Sequence, residues 1–245
     1  MITLRGIGFS YPGSAENECA LHSVDMEIAD GSLSAVLGAN GSGKSTLARI
    51  LNALLIPTQG SLDVDGTQID CSSRPDPEAI RKIRCSVGMV FQNPENQIVA
   101  DTVEQDVAFG PENLGLSNSE IRERTQEALC LMGLENLRLR SPRQLSGGQL
   151  QKLAIAGVLA MDCRYLVLDE SLSMLDSKSK SEVLETLGNL NRERNLGIIM
   201  ISHDIRDCSL AKRIFVLENG TVAMQGTSGE ILERRGELRA LGIRC

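Results

Sequence analysis

The 245-residue sequence predicts an α/β fold: a mostly parallel central sheet, a flanking antiparallel sheet and a helical lobe inserted in the core. Three observations carry this. The apolar runs "LSAVL" (33–37), "YLVLD" (165–169) and "GIIMI" (197–201) have the length and continuity of strands buried on both faces, and helical patterns follow them. Val24, Met26 and Ile28 alternate with polar residues, and "SLDVDG" (61–66) does the same, as half-buried antiparallel strands do. Residues 93–145 are dominated by helical patterns, and strands alternating with helices resume beyond them.

The elements follow in order. The alternating strand ends at Asp30-Gly31, and the run 33–37 stops at Gly38 and feeds a glycine-rich loop. Residues 45–55 are expected to be helical, halted by Pro57 and Gly60. "SLDVDG" runs into a hairpin-like turn, and the early strands within 1–30 and 61–65 form the antiparallel sheet. "CSSRPDPE" (71–78) reads as a loop and "SVGMVFQ" (86–92) as another apolar strand. The helical region is clearest at 119–132 and is punctuated by "FGPENLGL" and "RSPRQ". A helix from 148, a strand at 165–169 and a helix near 177–194 come next. A strand at 197–201, a short helix, and strands near 213–217 and 221–225 complete the pattern. One domain over 1–245 is expected, with a helical subdomain at about 93–160 and a short C-terminal extension at about 228–245.

Composition narrows the function. Apolar residues make up 42%, enough for a sizeable core, while aromatics are 2% and Trp is absent. Scarce aromatics disfavour stacking of single-stranded bases, and a net charge of −7 disfavours non-specific binding to nucleic acid or anionic lipid. No nucleic-acid partner is expected. The seven cysteines, at 19, 71, 85, 130, 163, 208 and 245, form no CxxC pair and read as reduced thiols. The start has no signal-peptide pattern, and the longest apolar run, "LAIAGVLAM" (153–161), is far short of the roughly 18 residues of a membrane span. Any membrane role is expected to come through a partner.

Two constellations carry chemistry. Gly38, Ala39, Asn40, Gly41, Ser42, Gly43, Lys44 and Ser45 fit G-x-x-x-x-G-K-[ST], between a buried strand and a helix. Glycines there let backbone N–H groups surround phosphate oxygens, and the helix start adds a positive dipole end. Lys44 supplies a compact charge to the β- and γ-phosphates, Ser45 offers its hydroxyl to Mg²⁺, and Thr46 is placed to bond the α-phosphate. The strand "YLVLDE" ends in two acids. Asp169 suits a Mg²⁺ ligand acting through water, and Glu170 suits the group that orients or deprotonates an attacking water. Acids also follow buried strands for solubility alone, but the phosphate loop favours the metal reading.

A second glycine stretch, "LSGGQ" (145–149), heads a helical face formed by Leu150, Ala154, Gly157, Val158 and Met161. Ser146 and Gln149 have the spacing of a capping box, which by itself only starts a helix. A cap does not need two adjacent glycines. Gly147 and Gly148 let a ligand approach the exposed N–H groups, so a second anion site is expected.

"GANGSGKST", "LSGGQ" and "LVLDE" in this order resemble the nucleotide-binding subunit of an ATP-binding-cassette (ABC) transporter over nearly the whole chain, which implies a P-loop NTPase core. The resemblance implies that two subunits pack head to tail around two ATP, with Ser146, Gly147, Gly148 and Gln149 capping the nucleotide held by the partner's phosphate loop. It implies that Tyr11 stacks on adenine, although aromatics also favour strand edges. It gives Gln92 a role at the metal and the attacking water, Asp176 a contact with the partner subunit, and His203 a contact with the γ-phosphate. Where the family commonly has Pro-Thr after the catalytic acid, this chain has Ser171-Leu172, so a looser path from Glu170 to Asp176 is expected.

"FQNPENQIVADTVEQDVAFGPENLGL" (91–116) and "LRALGI" (238–243) resemble the energy-coupling factor (ECF) importers of vitamins and metal ions. That implies a second ABC ATPase subunit, identical or related, a transmembrane coupling subunit, a membrane subunit that selects the solute, and a peripheral place on the cytoplasmic face of the membrane. Residues 93–116 would lie near the groove that accepts the coupling subunit. The alternatives are another ABC transporter class or a non-transport ABC ATPase. Lys44 and Asp169 are 125 positions apart with no heptad run between them, and there is one cassette, which disfavours repair and translation relatives.

Overall fold

The computed structural model describes residues 1–13, 19–72 and 74–244; the cysteine at 245 and residue 73 of the segment read as a loop lie outside them. Strands β1 (Ile2–Phe9), β2 (Leu21–Ile28), β4 (Gln59–Val64) and β5 (Thr67–Asp70) form an antiparallel sheet in the order β2-β1-β4-β5. Strands β3 (Leu33–Gly38), β6 (Val87–Val90), β7 (Tyr165–Asp169), β8 (Gly197–Ser202), β9 (Arg213–Glu218) and β10 (Thr221–Thr227) form the second sheet. Its order is β10-β9-β3-β8-β7-β6, parallel throughout except for the β9–β10 hairpin.

The parallel sheet divides the interior in two, and the period-2 alternation of its strands assigns each residue to a side. Ala35, Leu37, Leu166, Leu168, Ile198 and Met200 face one core, while Val36, Tyr165, Val167, Ile199 and Ile201 face the other. The second core is closed by the antiparallel sheet and helix α1 (Lys44–Leu51). The first is closed by α3 (Val103–Asn113), α4 (Asn118–Met132), α5 (Gly147–Leu159) and α6 (Ser177–Arg194), preceded in the chain by α2 (Pro77–Ser86). Helices α3, α4 and α5 pack on one another, and α5 also packs on β6. Short helices α7 (Ser228–Glu233) and α8 (Arg235–Ala240) follow the last strand, with Thr227 and Glu230 forming a capping box. Full burial of each large apolar side chain contributes roughly 1.5–3 kcal/mol, so these strands form a sheet despite their polar neighbours.

Three expectations shift. The first helix ends at Leu51, before residue 55, because the chain turns through Ala53 at φ 54°. Pro77 and Glu78 belong to α2, not to a loop: Asp76 accepts the Glu78 N–H, and Pro77 sits in the first turn, where a missing N–H costs nothing. That helix runs to Ser86, so the strand expected over 86–92 is confined to Val87–Val90 and Gln92 lies in the loop beyond it. Among the described residues, no helix is long and apolar enough to cross a membrane.

Candidate active site

Gly38, Asp169 and Ser202 end β3, β7 and β8 at the same edge of the parallel sheet, where open α/β folds bind ligands. The loop after β3 is shaped by its own packing. Gly43 has φ 98°, and a Cβ there would lie 2.6 Å from the Ala20 carbonyl oxygen. A Cβ on Gly38 would meet Ser42 Oγ at 2.4 Å and the Leu217 carbonyl at 2.6 Å. Glycine is therefore required at both. Ser42 Oγ is buried and makes no hydrogen bond within the described residues.

Lys44 opens α1 and is only 4% exposed. Its ammonium donates to the Ala39 carbonyl at 2.8 Å and lies 3.5 Å from Glu170 Oε1. Ser45 Oγ donates to Asp169 Oδ1 at 3.1 Å. Burial holds the Asp169 carboxyl above the ordinary carboxylate range, and the Ser45 bond counters it only in part. Thr46 Oγ1 is 3.0 Å from the Tyr11 hydroxyl, and the Tyr11 ring stands edge-on to Phe9 with centroids 5.0 Å apart. Asn40 and Gly41 are exposed at the tip of the loop.

Glu170 occupies the left-handed region at φ 49°, which costs a non-glycine residue on the order of 1 kcal/mol. Its N–H donates to the Ile201 carbonyl at 2.9 Å. Its carboxylate gathers the site: Gln92 Nε2 donates to Oε2 at 3.4 Å, and His203 Nδ1 lies 3.2 Å from the same oxygen. Tyr11, Lys44, Ser45, Thr46, Gln92, Glu170 and His203 share one cleft. The main chain of Ala20 and Ala39 also shapes it; a residue that acts through its backbone leaves no signal in its side-chain type.

The turn from Glu170 to Asp176 is held without a proline. Ser173 Oγ donates to the Glu170 carbonyl at 2.7 Å, and Leu172 and Leu175 are buried. Asp176 caps α6, accepting the N–H groups of Lys178 and Ser179 at 3.0 Å each, and those bonds hold its carboxyl below the ordinary range.

The second glycine stretch forms its capping box: Gln149 N–H donates to Ser146 Oγ at 3.3 Å, and Ser146 N–H to Gln149 Oε1 at 2.9 Å. Unlike Gly38 and Gly43, its glycines answer no internal demand. A Cβ on Gly147 would meet nothing within 4 Å, and one on Gly148 only Leu175 Cδ2 at 3.7 Å. Ser146, Gly147, Gly148, Gln149 and Asp176 do not line the cleft that holds Lys44 and Glu170.

A phosphate-binding loop feeding a helix, with acids at the end of a neighbouring parallel strand, defines a P-loop nucleoside triphosphatase. The ABC transporter profile matches residues 21–173, and the chain belongs to that family, within its energy-coupling factor ATP-binding group. It is 46% identical over 243 residues to the energy-coupling factor transporter ATP-binding protein EcfA of Syntrophomonas wolfei, covering 99% of this chain and 86% of that one. Among solved structures it resembles cbiO1 of Clostridium perfringens, part of the ABC transporter complex cbiONQ, with a TM-score of 0.84 and 35% identity over 99% of this chain and 94% of that one. It also resembles the dimeric post-hydrolysis cassette MJ0796 bound to ADP and Pi, with a TM-score of 0.82 and 31% identity over 93% of this chain and 98% of that one.

Proposed function

We propose that the chain is the ATP-binding and hydrolysing subunit of an energy-coupling factor importer. It pairs head to tail with a second ABC ATPase subunit around two ATP and drives a membrane coupling subunit for uptake of a vitamin or metal ion. The observation that carries the reading is the convergence of Lys44, Gln92 and His203 on the Glu170 carboxylate beside the phosphate loop.

In this reading the loop N–H groups and Lys44 hold the β- and γ-phosphates, Thr46 bonds the α-phosphate and Tyr11 stacks on adenine. Glu170 orients a water and takes its proton as the water oxygen attacks the γ-phosphorus and the bond to the β-phosphate oxygen breaks. His203 and Gln92 hold the γ-phosphate and the water in line. Ser45, Gln92 and Asp169 would hold Mg²⁺; their donors are all oxygens, as this hard cation prefers, and Ser45 and Asp169 already meet at 3.1 Å. When bound, the ion neutralises charge on the phosphates. Ser146 and Gly148 of the partner close over the γ-phosphate, and Asp176 meets the partner near the dimer seam. Unconstrained glycines outside the cleft support this role.

The helices of about 93–160 act as the lobe that engages the membrane subunits at the cytoplasmic face. Val99 and Phe109 of this lobe and Leu54 beyond α1 are exposed around one groove, with Val99 63% exposed, as a surface awaiting a partner would be. Residues beyond about 228 form the C-terminal extension. The test is Glu170→Gln with saturating ATP on a sizing column. The expected result is an accumulated dimer, with hydrolysis reduced at least about a hundredfold, and adding Ser146→Arg should return it to monomer. A Glu170→Gln chain that stays monomeric and hydrolyses ATP at the wild-type rate refutes the reading.

A further inference from the structure

The segment "LRALGI" plays no part in the site as built so far, yet the chain there ends against two loops of the cleft, those after β3 and β8. Leu238 on α8 is fully buried and Ile243 is 2% exposed, both in the core shared with α3–α6. Between them Gly242 turns the chain at φ +75°, and a Cβ there would lie 3.2 Å from Cβ of Ala39, whose carbonyl accepts from Lys44. The Ile243 N–H returns to the Leu238 carbonyl at 3.0 Å and closes the turn. The next residue, Arg244, forms an isolated parallel bridge with Asp204. Its N–H donates to the His203 carbonyl at 2.9 Å, and its carbonyl accepts the Ile205 N–H at 3.0 Å.

His203 stands just beyond the last residue of β8, where the sheet ladder no longer fixes the backbone. The residues after it are tied among themselves. Asp204 N–H donates to Ser202 Oγ at 3.0 Å, that hydroxyl donates to Asp207 Oδ2 at 3.0 Å, and Lys180 donates to Asp207 Oδ1. The peptide that carries the imidazole is gripped from outside the loop by Arg244. Phosphoryl transfer depends on placement, and a catalytic group must be held within about 0.5 Å of its productive position.

We propose that residues 238–244 are a positioning element for ATP hydrolysis, in which the main chain of Arg244 brackets Asp204 and sets His203 against Glu170. The buried Leu238 and Ile243 anchor the element, the Gly242 turn brings it alongside the phosphate loop, and two main-chain hydrogen bonds transmit its position. The side chain of Arg244 is not the working part. The inference rests on the ATPase reading of the site and adds a residue group to it.

The test compares Arg244→Pro, which removes the N–H donor, with Arg244→Ala, which keeps it, in steady-state hydrolysis of Mg²⁺-ATP by the full chain. Loss of one hydrogen bond that holds a catalytic group predicts a kcat about five- to tenfold lower for the proline variant, with KM changed less than about twofold. In a His203→Ala background the proline should slow the residual rate no further. The sequence holds two histidines, so the imidazole carbon-bound protons form a two-residue NMR spectrum. Arg244→Pro should move or broaden the His203 signal and leave that of His22 in place. Equal kcat for the two variants, an unmoved His203 signal, or an equal loss with and without His203 overturns the proposal. Should proline disturb His22 as well, Ile243→Ala takes its place, and a wild-type kcat with an unmoved His203 signal in that variant overturns it. Wild-type hydrolysis by His203→Ala would instead overturn the role of the histidine in the ATPase site.

Discussion

Replacing Gly148 by alanine should stabilise the isolated chain and disable its chemistry. Gly148 lies in the first turn of α5 outside the left-handed region, so alanine can adopt its backbone without strain. Its Cβ would stand 3.7 Å from Leu175 Cδ2, an ordinary contact, with nothing else within 4 Å. The substitution removes unfolded-state freedom and adds helix propensity, together about 0.5–1 kcal/mol. For a chain of this size that raises Tm by roughly 1–4 °C. If Gly148 instead admits the γ-phosphate held by a second subunit, the added methyl stands where the phosphate must approach its N–H. Hydrolysis should then fall by at least about tenfold, the cost of one misplaced oxyanion-type donor. Calorimetry without nucleotide gives the first quantity and steady-state phosphate release the second. A wild-type rate would refute closure across the dimer, and a lowered Tm would refute the open space seen beside Gly148.

Two further expectations concern titratable groups that do not line the cleft. Burial raises the Cys163 thiol to about 11, against a partial offset from the Gly88 N–H, so at pH 8 only on the order of 0.1% is thiolate. An aromatic disulfide reagent at pH 8 should modify the exposed Cys71 within minutes and reach Cys163 only after denaturant is added; early labelling of Cys163, read by peptide mass, would refute this. The Arg206 guanidinium holds the Asp204 carboxyl below its ordinary range, with burial opposing. A depressed folded value contributes stability that is present above the unfolded value near 4 and is lost as pH falls through the folded one. Asp204→Asn should therefore lower Tm at pH 7 and flatten its decline below about pH 4; an unchanged decline would refute the assignment.

The residues that meet in the cleft are legible in the sequence because they are written in residue types at fixed spacing after buried strands. Gly38–Ser45, Asp169-Glu170 and His203 each follow an apolar run, and a parallel sheet brings the ends of its strands to one edge whatever the intervening lengths. The start of helix α2 hides in a serine- and proline-rich segment that reads as a loop, although "DPE" carries it: Asp76 caps the helix and Pro77 sits in its first turn. Strand β5 is not legible, because its four residues give too short an alternation to stand out from a turn. The left-handed backbone of Glu170 and the bridge from Arg244 left no trace, since neither residue type favours the geometry it adopts. Tertiary contacts set both.

The two glycine stretches differ in what compels them, and the difference bears on how the site assembles. In the phosphate loop Gly38 and Gly43 are fixed by the chain's own packing, so the loop is shaped before a nucleotide arrives. The charge there is also balanced internally: a 4%-exposed ammonium would be costly alone, and the Ala39 carbonyl and Glu170 carboxylate compensate it. On the proposed function, incoming phosphates take over Lys44 and leave the Glu170 carboxylate to a water, with His203 and Gln92 still beside it. That exchange readies a base without moving the backbone, because Glu170 is pinned through its own N–H to Ile201 and through its carbonyl to Ser173. Gly147 and Gly148 have no such internal cause; on the proposed function, their N–H groups gain a counterpart when a second subunit supplies the phosphate. On that reading, a half-site that is preorganised and a half-site that is merely kept open make hydrolysis depend on closure of the pair.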